Sequence, residues 1–171
     1  MNAAIQAQGG AQLISLILFG LAARWYLQPW LTSLSRSSAL TALLWIHAFR
    51  YVALQVFSAQ TSGFPISDSG ARAIVAGDVA GAFIALCAIL LLRRRVALAI
   101  PLIWVLVAET VYDTVTNIRD GTREHLMGAA SGVTWMILVF FVPMVVVSTV
   151  LLIVQLLARH TESPNALNPA R

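Results

Sequence analysis

From Leu126 to Ala158 the chain runs 33 residues without Asp, Glu, Lys, Arg or His. A soluble helix of that length needs a polar face toward water, and this run offers almost none. About 20 apolar residues cross a bilayer core. A longer run predicts a membrane span with tilt or a kink, and Pro143 is the expected kink site. Further apolar segments lie at about 8–27, 38–58, 71–92 and 97–117. Of 171 residues, 59% are hydrophobic and only 11% charged, against roughly 25% charged in soluble domains. The expected fold is an all-α integral membrane protein, a bundle of five transmembrane helices in one domain over residues 1–160. The polar tail TESPNALNPAR, 161–171, is expected to be disordered.

The eleven basic residues are all Arg. Without Lys, a Schiff-base cofactor such as retinal or pyridoxal phosphate is excluded. The single Cys87 allows no internal disulfide. The Arg residues flank apolar segments, which predicts membrane anchoring and contact with membrane lipids, and argues against nucleic acid. With the N-terminus outside, Arg24, Arg36, Arg93, Arg94, Arg95, Arg159 and Arg171 fall inside, and Arg72, Arg119 and Arg123 outside. Positively charged loops stay in the cytoplasm, so the expected orientation is N-out, C-in, as a multi-pass protein of a bacterial inner membrane. No basic residue precedes the first segment, so it is expected to be a retained helix and not a signal peptide. The aromatic residues Trp25, Tyr26 and Trp30 beside Arg24 read as an interfacial belt.

Within these apolar segments stand five ionisable residues: His47, Arg50, Asp78, Glu109 and Asp113. Each charge at a helix centre costs roughly 2.5–3.5 kcal/mol on insertion scales, so the group must pair, neutralise or meet water. Counted from the expected outer helix ends at about 1.5 Å per residue, Arg50, Asp78 and Glu109 share a depth of about 10–12 Å. Asp113 is shallower, at about 6 Å, and His47 deeper, at about 16 Å. Glu109, Asp113 and Asn117 share one helical face, as do His47, Tyr51 and Gln55. In GDVAG, Gly77 and Gly81 read as a small-residue contact that lets a second helix approach beside Asp78. The expected result is a polar pocket in the outer half of the membrane, lined by His47, Arg50, Tyr51, Asp78, Glu109, Asp113 and Asn117. Three carboxylates against one permanent cation leave the pocket net negative, and Glu109, the deeper acid of its helix, is expected to hold a proton.

No dense metal-ligand spacing is present, and Arg50 would repel a cation from a His47, Glu109, Asp113 set. His125 and His160 fall near opposite faces, so haem ligation is not expected, and no cofactor is. The stretch DSGAR, 68–72, lacks the spacing and later aspartates of a CDP-alcohol phosphotransferase. The leading expectation is a membrane protein that binds or carries a cationic or proton-linked small molecule. One alternative is an intramembrane acid–base enzyme on a lipophilic substrate. Another is an accessory subunit of a larger complex, with a purely structural ion-pair cluster. Five spans without an internal repeat are few for a carrier, which points to a homodimer or a larger membrane complex.

Overall fold

The computed structural model describes residues 3–162, so most of the 161–171 tail lies outside the described residues. Among them the chain is helical, with no strand. It has five helices long and apolar enough to cross a membrane: α1 (Ala3–Ser33), α2 (Arg36–Thr61), α3 (Asp68–Arg93), α4 (Ala99–Arg123) and α5 (Gly132–Ala158). The apolar segments anticipated these helices, with shifted ends. Helix α1 extends in both directions beyond 8–27, and α4 runs to Arg123, past the expected end at 117. Helix α5 starts at Gly132, not at 126, because His125, Gly128 and Gly132 adopt left-handed backbone conformations with φ of 55°, 81° and 53°. Ser67 caps α3, its Oγ accepting the Gly70 N–H at 3.0 Å, and Ser35 caps α2 through the Ser38 N–H at 3.2 Å.

Three of the helices depart from α geometry along their length. Ala23–Leu27 in α1 and Ile137–Phe141 in α5 form π-helical turns, each followed two residues later by proline, Pro29 and Pro143. Proline lacks an N–H, and its ring clashes with the carbonyl four residues back. A wider turn absorbs the clash and re-pairs the backbone: the Gln28 N–H bonds the Ala23 carbonyl and the Val142 N–H bonds the Ile137 carbonyl. In α2, Phe49–Leu54 is a 3-10 segment, which repeats every three residues. The buried side chains follow that period: His47, Arg50, Ala53 and Val56.

Helices α2, α3, α4 and α5 pack together, whereas α1 lies outside them and leans mainly on α5. The larger apolar core includes Leu40, Leu44, Ile89, Ile103, Leu106 and Leu152. It fills the half of the bundle toward the Arg93–Arg95 turn. A smaller core of Val56, Ile66, Ala71, Val75 and Leu126 closes the half toward Ser67. The arginine end is tied by side chains that reach carbonyls left open at helix ends. Arg159 donates to the Leu34 carbonyl at 3.0 Å, and Arg36 to the Glu162 carbonyl at 2.8 Å. The Arg159 guanidinium, hydrogen bonded to the Glu162 carboxylate, holds that carboxyl below its usual range.

Candidate functional site

The two apolar cores leave a polar layer between them, centred on Arg50. Its guanidinium is only 2% exposed. Nε donates to Asp78 Oδ1 on α3 at 2.8 Å. On α4, Nη1 donates to Glu109 Oε2 at 2.7 Å and to Thr110 Oγ1 at 2.9 Å. Nη2 donates to Glu109 Oε1 at 3.3 Å and to Asp113 Oδ2 at 2.8 Å. These contacts use the full donor set of an arginine, five N–H groups in a planar fork. Among the described residues, Asp78 Oδ2 and Asp113 Oδ1 accept no hydrogen bond.

Glycine makes the layer fit. A Cβ on Gly81 would stand 2.6 Å from Arg50 Cζ and 2.8 Å from Glu109 Oε2. One on Gly77 would overlap Asp113 Oδ1 and stand 2.9 Å from Asp113 Cγ. At both positions a Cβ would force these side chains to shift. The GDVAG pattern therefore admits charged side chains against the α3 backbone, a more specific role than helix approach.

Sequence reasoning named the members of this cluster from three helices and the structure brings Arg50, Asp78, Glu109 and Asp113 into direct contact. It placed Asp113 too shallow, because it ended α4 too early. Asp78 and Asp113 stand equally deep, ten residues from Asp68 and Arg123, the ends that share the Ser67 side. Glu109 lies one turn farther in. Counted from these ends, the layer sits near the middle of the helices. His47 is fully buried, and among the described residues neither ring nitrogen has a hydrogen-bond partner. Tyr51 is half exposed and outside the contact set, because the 3-10 segment turns it away from the face carrying Arg50. Thr110, absent from the sequence reading, is a direct partner of Arg50. Its i, i+1 position beside Glu109 gave no helical-face signal.

Above the cluster, toward Ser67, a cavity of about 330 Å³ opens between α3 and α4, lined by Ile66, Ala73, Ile74 and Leu126 together with Asn117, Asp120, Arg123 and Glu124. Asn117 is one helical turn from Asp113, and Ala73 one turn from Gly77, so the cavity stands over the carboxylate layer. This is where the structure places Asn117. The Glu124 carboxylate accepts the Ser67 N–H at 2.8 Å and the Ser67 hydroxyl at 2.7 Å, fixing the rim. Among the described residues, no group of three or more His, Cys, Asp and Glu converges to hold a metal ion.

The chain belongs to a family defined by a domain of unknown function, DUF8737, which matches residues 8–157. No curated protein matches the chain, and no solved structure does.

Proposed function

We propose that this is a multi-pass protein of a bacterial inner membrane, oriented N-out and C-in, that binds or carries a small organic cation at the Arg50 layer. The observation that carries the reading is charge. One guanidinium faces three carboxylates, so the fully ionised layer holds two negative charges in excess. In low dielectric such an excess is unfavourable, and a bound cation relieves it. The acceptor oxygens left open on Asp78 and Asp113 suit N–H donors. The cavity over Asn117 and Asp120 supplies an approach from the Ser67 end. A primary alkylammonium matches these needs, and propylammonium is the probe of choice.

A second reading has its own support. The saturated N–H groups of Arg50 are also what a rigid structural clamp requires. Calorimetric titration of propylammonium into the protein in lipid nanodiscs separates the two. The binding reading expects saturable binding that weakens about tenfold, or about 1.4 kcal/mol, in Asp113→Asn. Neutral propanol should not compete. Heat without saturation, or equal affinity in Asp113→Asn, would leave the structural clamp.

A further inference from the structure

We infer that the groove between α1 and α5 is a binding site for one acyl chain of an anionic glycerophospholipid. The groove has a volume of about 520 Å³ and its wall includes Phe19, Tyr26 and Trp30 of α1, Ile46 of α2, and Met144 and Leu151 of α5. It lies along the π turn of α1, whose Ala23, Tyr26 and Leu27 line it. The Ser148 hydroxyl donates to the Leu43 carbonyl at 3.3 Å, and the other polar groups of the wall, the Tyr26 hydroxyl and the Trp30 indole N–H, belong to exposed residues at the Trp30 end.

Three features of the groove choose the occupant. The first is length. Phe19 and Trp30 are separated by about 16 Å along α1 at about 1.5 Å per residue. One leaflet of a hydrocarbon core is about 15 Å deep, half of about 30 Å. The second is closure. At the Phe19 end, the Phe19 and Phe140 rings meet edge to face with centroids 4.9 Å apart, which caps the groove near the expected bilayer centre. The third is aromatic rings at the open end and a cation on the flank. Tyr26 and Trp30 are exposed there, with the amphipathic rings that favour the headgroup level. Arg24, next to the groove residue Ala23, is exposed and makes no ion pair among the described residues. Its long side chain can reach along the surface to a phosphate at that level. A groove as deep as one leaflet, shut at its apolar end and flanked by a cation, fits an anionic lipid better than a peptide helix. A second copy of this chain is the competing occupant.

The inference needs the bilayer of the preceding proposal but not its cation, so the two fail separately. The test is thermal unfolding in detergent with added phosphatidylglycerol or phosphatidylcholine of the same chains, with native mass spectrometry of the same samples. The wild type should gain more in melting temperature from phosphatidylglycerol and retain it in the spectrometer. Arg24→Gln should erase the preference between the two lipids. Ala22→Phe, at an exposed groove position, should abolish the retained lipid while leaving propylammonium binding as in the wild type. Equal stabilisation of the wild type by both lipids overturns the inference, as does full retention in Ala22→Phe. A dimer that Ala22→Phe dissolves would assign the groove to a second copy and overturn it as well.

Discussion

Arg50 carries the energetic weight of the polar layer, because every carboxylate in it answers to that one guanidinium. The carboxylates are not equivalent. Glu109 accepts from both terminal nitrogens of Arg50, and the Thr110 hydroxyl lies 3.3 Å from its Oε2. Asp113 accepts a single bond from Arg50. The charge count suggested that Glu109 would be the neutral acid; the bonding pattern moves the expendable charge to Asp113. Glu109→Gln replaces an acceptor by a donor that faces a guanidinium, and hydrogen bonds to charged groups are worth about 1.5–3 kcal/mol each. Asp113→Asn keeps one acceptor oxygen for Nη2 and removes one of the excess charges. Glu109→Gln should therefore unfold well before Asp113→Asn in a thermal scan in one detergent, and the reverse order would refute the assignment. The residues of the cluster were legible because ionisable groups in apolar segments must be compensated, and depth counting put Arg50, Asp78 and Glu109 at one level while leaving Asp113 too shallow. Tyr51 was misplaced because α periodicity was assumed through a segment that folds as 3-10. No residue pattern in FRYVAL announces that geometry, and we have no local physical account of it.

At the level of elements, the helices were readable from length and hydropathy, while their internal departures were only partly so. Pro143 marked a perturbation in α5, and its form is a π turn at Ile137–Phe141 just ahead of it. Pro29 carries the same signal in α1, at the same spacing from Ala23–Leu27. The two glycines of α3 were read as a helix contact, and the side chains that fill the space were invisible without the fold. This difference has a consequence. Pure helix packing would let Gly81→Ala cost little, since Ala is also a small residue. Here a Cβ at position 81 meets the Arg50 guanidinium and Glu109. Both side chains are held by mutual bonds, so neither can swing aside freely. Gly81→Ala should destabilise by about 1–3 kcal/mol, the range for overpacking a filled site. Gly20→Ala in α1, where a Cβ meets nothing within 4 Å, should be neutral or slightly stabilising. Equal melting temperatures for the two variants would show that the layer yields easily at Gly81.

Across the whole molecule, charge is sorted by end. Arg36, Arg93, Arg94, Arg95 and Arg159 gather where α2 and α4 begin and α3 and α5 end, whereas Arg119 and Arg123 lie near the Ser67 end with Asp120 and Glu124. The sorting is independent of the buried layer, which lies between two apolar cores and would serve either orientation equally. The proposed orientation therefore rests on the surface arginines, and mostly on one turn. By sequence order, with Arg24 and Arg171 assigned to that side and Arg72 to the other, the expected bias is seven to three. Replacing Arg93, Arg94 and Arg95 by Gln leaves Arg24, Arg36, Arg159 and Arg171 against Arg72, Arg119 and Arg123. A near balance of that kind does not specify a direction, because orientation follows the difference in Lys and Arg close to the spans. In the wild type, a reporter fused after Arg171 should be active only on the cytoplasmic side. In the triple Gln variant, cytoplasmic and periplasmic reporters fused at that position should both become active, with the total amount of protein unchanged. A variant that keeps a single orientation would mean that α1 or the helix order sets the topology, and a wild-type fusion active in the periplasm would reverse the orientation itself.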